Sequence, residues 1–464
     1  VRVLGLGAVA EGSGALSPYW REATLGEAAL ILGENETAAA HYAKAARLGE
    51  GRHGDLGSTR RQARLLAACL PGADPAAASS LAIAPVLVYT GNMIDAPGRP
   101  APRFPAALEP AVREALHASI AAIRPVAAYG SAACGADLLC LELVREMGGE
   151  THVVLPFPAP EFRQASVDFA GGDWGTRFER ALAAADSVTV ASDHRASGSS
   201  ATFEYSNLVV TGMGILRARL LDGSLRALAA WDPGAAGAAG GAGSLVPLWE
   251  ARGFAIDRVD LAALRGAKPA RPSPSPPAQA PAQQAVRHEM RAMLFADAVG
   301  YSQLSEDQIP GYITGFLGAV AQLNARTAHR FEHVETSGDG LYMVFRDAAD
   351  AGHYALELNA LVAAFDREAC GLPPTFDLRI ALHCGPVHCA RDPITGLPIY
   401  TGPHTSRAAR IEPITPPGQV YASSAFAAVA AACGVEAIGM DYVGRIPLAK
   451  GYGTLGLYHV RPAD

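Results

Sequence analysis

The chain has no apolar run of eighteen or more residues, so nothing in it reads as a membrane span; the longest candidate, near residues 425–435, stops at Glu436. It is poor in charge, with 18% of residues Asp, Glu, Lys or Arg and a net charge of −7. That balance argues against a protein held to nucleic acid by phosphate contacts. Its seven cysteines are odd in number and scattered, which is neither a disulfide framework nor a paired zinc pattern. The first ten residues carry one arginine and no clean hydrophobic region or cleavage site, so no signal peptide is expected and the chain reads as cytoplasmic. What is present is ample apolar content, 50% of the residues, with many Gly (49) and Pro (33). At 464 residues the chain is too long for one ordinary core, and two to four domains joined by Ala/Gly/Pro-rich connectors are expected.

Residues 1–80 read as helical, with large apolar residues three or four apart and small Ala and Gly where two helices approach. The stretch from Tyr19 through Tyr42 to Ala45 resembles a tetratricopeptide-type hairpin, which cannot bury its apolar face alone and should pack on a neighbour. Residues 85–265 alternate strand and helix patterns. Strand candidates are Pro85–Tyr89, Val126–Tyr129, His152–Leu155, Ser187–Val190 and Arg226–Trp231, which together imply a parallel sheet covered on both faces. Residues 234–243, nearly pure Gly and Ala, read as a surface loop. Six prolines in 269–281 mark an extended linker over 266–289, after which a separate α+β unit, able to fold alone, occupies 290–464.

That last unit carries the chemistry. Met293–Val299 is a hydrophobic strand that delivers Asp297 near its end, and Val334–Phe345 reads as a hairpin with Asp339 in its Gly338-Asp339-Gly340 turn. Two aspartates from adjacent strand ends suit a pair of Mg²⁺ ions, because hard cations prefer oxygen ligands and phosphate supplies the rest. The ordered blocks Phe295-Ala-Asp297-Ala-Val-Gly-Tyr-Ser302, Ser337-Gly-Asp-Gly340, Leu378–Val387, Gly402 with Ser406–Glu412, Gly418–Ser423, Val443-Gly-Arg445 and Leu448–Gly451 resemble the class III adenylate/guanylate cyclase catalytic domain. The resemblance spans about residues 291–462.

It implies a ferredoxin-like fold in which Asp297 and Asp339 hold two Mg²⁺ or Mn²⁺ ions per site. By the same resemblance Arg410 stabilises transition-state charge and Lys450 grips the triphosphate of a nucleoside triphosphate, which is converted to a 3′,5′-cyclic nucleotide and pyrophosphate. Such domains act as head-to-tail dimers, so a homodimer with composite sites is implied. Ser406 stands where the family has a ribose-orienting Asn, and a shorter hydroxyl implies slower turnover. The base-specifying positions are Glu335 and Ile399, with Thr401 an alternative to Ile399 and Gly338 beside the phosphates. Glu335 suits guanine, Ile399 offers either base nothing polar, and ATP and GTP both stay open. His383, Cys384, His388 and Cys389 have soft-ligand character, but adjacent strand residues face opposite ways, so they read as core and turn residues.

In the middle unit, Gly130-Ser131-Ala-Ala-Cys-Gly135-Ala-Asp137 joins a strand to a helix and offers backbone N–H groups to an anion. With the segment through Thr202 and Glu204, it resembles the SLOG group of Rossmann-like nucleotide-sensing domains, without the consecutive Pro-Gly-Gly of its hydrolases. A nucleotide-like ligand, bound rather than hydrolysed, is therefore expected. The fold class expected overall is multidomain α/β plus α+β: helical hairpin, Rossmann-like domain, cyclase-like domain. The expected function is a regulated nucleotidyl cyclase in signalling, the alternative being a weak or inactive cyclase fold that only binds nucleotide. No nucleic acid or membrane partner is expected.

Overall fold

The computed structural model describes residues 17–196, 199–232, 241–266, 286–448, 451 and 453–463. Lys450, the 269–281 proline stretch and most of the 234–243 glycine stretch lie outside the described residues. The chain begins with the helices Pro18–Ile31, Asn35–Leu48 and His53–Cys69, followed by a short 3₁₀ turn, Pro75–Leu81. Tyr19, Tyr42, Ala45 and Leu81 fill the centre of this cluster. The third helix docks where a long helix of the second unit ends: Arg60, Arg61 and Arg64 donate hydrogen bonds to Arg219, Leu220 and Asp222. Cationic forks thereby satisfy carbonyls that a helix C-terminus leaves unpaired.

The second unit is a six-stranded, all-parallel sheet of β1 (Val86–Gly91), β2 (Ala127–Gly130), β3 (Glu150–Leu155), β4 (Ser187–Val190), β5 (Leu225–Trp231) and β6 (Ile256–Asp260). Their spatial order is β4-β3-β2-β1-β5-β6. The chain builds outward from β1 to β4, then crosses to the other side of β1, so the order reverses between β1 and β5. β1 is buried over Val86–Tyr89, as expected of a central strand covered on both faces. β6, read as Ile-Asp-Arg-Val-Asp, lies at the edge and escapes sequence detection because its exposed positions are charged.

The third unit is an eight-stranded mixed sheet. It comprises β7 (Val286–Val299), β8 (Phe331–Ser337), β9 (Gly340–Phe345), β10 (Asp377–Arg391), β11 (Pro398–Thr401), β12 (Gln419–Ser423), β13 (Ile438–Pro447) and β14 (Thr454–Pro462). Its main path runs β13-β14-β12-β10-β7-β9-β8, with β11 added to the far part of β10. β7 starts at Val286, four residues before the boundary expected from the prolines. Alternate residues of β7, Ala292 to Ala298, point into a core with the helices Gly318–Arg326, Ala348–Ala364 and Ser424–Cys433, while Met293 and Phe295 face the other side.

The second and third units share a core. The helix Ala201–Leu220 covers β1 and β2 and also lies against the Ala-rich helix Ser424–Cys433. A Cβ at Gly212 would stand 1.8 Å from the carbonyl oxygen of Ala428, so the two backbones meet at a distance only glycine permits. Trp249, fully buried, donates its indole N–H to Thr211 one residue away. The C-terminal unit therefore packs directly on the middle unit, because small residues on both helices allow close approach.

Candidate functional site

Antiparallel pairing sets Asp297 of β7 opposite Gly340 of β9 on one side and opposite Arg379 of β10 on the other. The β8–β9 turn, with Gly338 in the left-handed region (φ 64°), places Asp339 beside Asp297, and Ala298 N–H donates to the Asp339 carbonyl at 3.1 Å. The Asp297 carboxyl is raised above its ordinary range by burial and then by the charge of Asp339, with Arg379 pulling the other way. Two hard carboxylates side by side, their negative charge only partly offset by Arg379, form a donor set that fits divalent cations. Among the described residues no three His, Cys, Asp or Glu side chains come together as a metal cluster, so phosphate and water oxygens would have to complete any coordination shell.

Sequence reading missed two residues here. Arg379 faces Asp297 across the strands, and Glu412 lies 3.8 Å from Arg379. Burial, and then the charge of Asp297, pushes the Glu412 carboxyl up to about 7. The signal for Arg379 was available once β7 and β10 are paired, because Asp297, Phe295 and Met293 then face Arg379, Ala381 and His383. Glu412 follows a six-residue helix and a loop, and no periodicity points to it.

The remaining expected residues do not all share this face: Tyr400 packs with Phe295 and Tyr342, so strand alternation turns its neighbours Ile399 and Thr401 to the other side of the sheet. Glu335 sits on exposed β8, its carboxylate 3.5 Å from His333. Ile399 and Thr401 lie on β11, opposite Ala390 and His388 of β10. Tyr342, stacked on Phe295, donates to the Tyr400 carbonyl and links β9 to β11. Ser406 lies in the helix Pro403–Ala408, and Arg410 is the second residue beyond its end. His383 is wholly buried and hydrogen-bonded, Cys384 lies in the main core, Cys389 belongs to a separate small cluster, and His388 packs on His288. These four side chains therefore do not converge.

In the middle unit a cleft of about 350 Å³ opens at the carboxyl ends of β1 and β5, where the strand order reverses and open parallel sheets take their ligands. Arg99, Arg103 and Arg195 bring positive charge to it, and Phe162, Phe203 and Trp231 bring flat apolar surface. Of the expected sensor residues, Ser131 and Asp137 line it, whereas Gly130, Gly135, Thr202 and Glu204 do not. The Thr202 hydroxyl is buried without a hydrogen-bond partner, and Glu204 accepts from Ser200. Asp137 turns back to accept from Ala133 N–H at 3.4 Å, and its burial pushes it up to about 7. Its own carboxyl thus occupies part of the turn that an anion would use.

No family model matches the chain, and no curated protein matches it. Among solved structures it is similar to the guanylate cyclase domain of RhGC from Catenaria anguillulae in complex with GTP (19% identity, TM-score 0.33), over 38% of this chain and 100% of that one. It is also similar to the adenylyl cyclase CyaB from P. aeruginosa (14%, TM-score 0.34), over 39% of this chain and 97% of that one. A third likeness is to Trypanosoma brucei adenylate cyclases in their monomeric state (20%, TM-score 0.33), over 37% and 88%. Among the described residues no helix is long and apolar enough to cross a membrane.

Proposed function

We propose that the C-terminal unit is a nucleotidyl cyclase that converts ATP or GTP to a 3′,5′-cyclic nucleotide and pyrophosphate. The observation that carries this is the meeting of Asp297 and Asp339 at adjacent strand ends, inside the ordered motif blocks. Asp297 and Asp339 would hold Mg²⁺ or Mn²⁺, which when bound supplies a Lewis acid for the substrate phosphates and the 3′-hydroxyl. The ribose 3′-oxygen attacks the α-phosphorus, losing its proton as the new O–P bond forms and the bond to the pyrophosphate oxygen breaks. Arg410 presents a planar fork to the charge that develops on the phosphate oxygens, and Ser406 orients the ribose. Glu335 accepts from the base and Gly338 leaves room for phosphate, while Ile399 and Thr401 are assigned to the base on their motif positions alone. Lys450 is assigned to the triphosphate on its motif alone. Arg410 acts on substrate held by the other subunit of a homodimer. Incubating the pure protein with Mn²⁺ and each of ATP, GTP, CTP and UTP, followed by mass spectrometry, tests this; absence of any cyclic product favours the nucleotide-binding alternative.

The cleft of the middle unit is the sensor in this reading, and its arginines and aromatic walls suit a phosphorylated, nucleotide-like ligand. A thermal-shift panel of nucleotides, repeated with Arg195→Ala, tests it. A stabilising nucleotide should lose its effect in the variant.

A further inference from the structure

A buried polar column crosses from the middle unit into the sheet that carries the candidate site. Ser192, just after β4, lies with its hydroxyl 3.0 Å from Nε2 of His404. Nδ1 of His404 is 3.0 Å from Nε2 of His383, and Nδ1 of His383 is 2.7 Å from the Ser423 hydroxyl. All four residues are buried. A neutral imidazole has one donor and one acceptor nitrogen, so the two rings must choose tautomers together, with every bond in the column running the same way. Burial, then nearby positive charge, holds both rings neutral: His404 is lowered to about 3 and His383 well below its ordinary range.

The column ends on an element that needs support. Pro403–Ala408 is a six-residue helix, far too short to persist by itself, and only His404 and Ala408 of it are buried. The His404 ring lies on Gly385, where a Cβ would approach it to 2.2 Å, and edge-on to Tyr205 of the long middle-unit helix at 5.2 Å. One turn on, Arg407 donates to Asp193 of the middle unit at 2.7 Å. Two residues three apart on one helix face are thus held by two consecutive residues of a single middle-unit loop. Ser406 sits between them and Arg410 follows. Asp297 and Asp339, by contrast, sit on a strand and a hairpin turn held within their own unit, with Tyr312 donating to the Gly338 carbonyl.

We propose that Ser192 and Asp193 of the middle unit, acting through His404 and Arg407, are positioning residues that set the helix Pro403–Ala408 and so the placement of Ser406 and Arg410. This deepens the cyclase reading and rests on it for the catalytic consequence, though not for the mechanical one. Uncoupling the loop leaves the carboxylate half of the site intact and loosens the half that meets developing charge, an effect on turnover more than on substrate binding.

The test uses the full chain with Ser192→Ala and Asp193→Ala, singly and together, and Asp193→Glu as the conservative variant. Hydrogen exchange of the segment 403–411 should accelerate about ten-fold in the double variant while that of β7 and β10 stays as in the wild type. With Mn²⁺ and the accepted nucleotide, kcat should fall about ten-fold or more with KM changed less than about two-fold, and Asp193→Glu should restore most of it. Unchanged exchange in 403–411 overturns the proposal whatever the activity. Faster exchange with unchanged kcat overturns the positioning role. If the wild type turns over no nucleotide, the cyclase reading fails, while the exchange measurement still decides whether the loop holds the helix.

Discussion

At the residue scale, the two aspartates were readable from sequence because each lies beside its own local signal: a hydrophobic strand that stops, and a Gly-Asp-Gly turn. Asp297→Ala or Asp339→Ala is expected to reduce cyclic nucleotide formation by about 100-fold or more with the fold retained, measured by product analysis alongside circular dichroism. Near-normal turnover in either variant removes the metal assignment. The placement of Arg379 and Glu412 beside Asp297 was not readable, since it arises from strand register and from a loop return that no short window contains. Asp137 offers a stability test. Its folded value of about 7 lies above the ordinary carboxylate value of 3.8, so the neutral form is favoured by folding. The stabilisation is present at acid pH and is lost as pH rises towards 7, at a limiting slope of about 1.4 kcal/mol per pH unit. Chemical denaturation from pH 5 to 8 should show this decline in the wild type and a flatter profile in Asp137→Asn; parallel profiles would place the Asp137 carboxyl in water.

At the level of elements, the parallel strands of the middle unit were legible because buried central strands read as continuous apolar runs, as in Val153–Leu155. What escaped was which helix faces which unit. Ala201–Leu220 is apolar on more than one side, and periodicity alone could not say that one side closes the cleft through Phe203 and Val210 while Gly212 meets Ala428. Gly212→Val should therefore separate the second and third units rather than unfold either sheet. Limited proteolysis should cut within 201–220 or 424–433 faster than in the wild type, with the apparent stability falling by about 1–3 kcal/mol. Equal cleavage rates would mean the helices do not touch there. The neutral histidines give the same contact an acid limit: both fall below the ordinary value of 6.5, so their contribution is whole above that pH and is lost as pH drops towards 3. Hydrogen exchange of the segment 403–411 across pH 7 to 4 should report the loosening in the wild type, and His404→Gln, which takes up no proton, should show less of it.

On the scale of the whole molecule, the proline-rich stretch suggested a tether between independent bodies, yet the shared core makes the middle unit part of the surroundings of the Pro403–Ala408 helix. The sequence missed this because the helix contact at the interface rests on Gly212 and Ala428, small residues with no strong periodic signature, and its polar contacts join residues about 200 apart. A chain beginning at Val286 exposes the Ala427–Ala428 face and leaves His404 without Ser192 and Tyr205. It should melt below the intact protein in calorimetry; equal melting temperatures would show the shared core to be unimportant. If the site is shared between subunits, mixing inactive Asp297→Ala and Arg410→Ala chains should restore about a quarter of full activity when half the dimers are mixed, because each mixed dimer retains one intact site. No recovery after verified subunit exchange would mean each chain completes its own site.

The backbone contact at Gly212 bears on how such a chain could change over generations. Most surface joints between domains are forgiving, and a gene can trade one partner for another with only the linker to adjust. A joint in which two main chains touch leaves no side chain to absorb the difference. Grafting a foreign domain onto residues 286–464 would demand a helix with a bare position at one specific height, together with a serine and an acid just after a neighbouring strand. The middle and C-terminal units therefore fit as a matched pair, and exchanging one alone should be tolerated only where the bare helix position and the two loop side chains are kept.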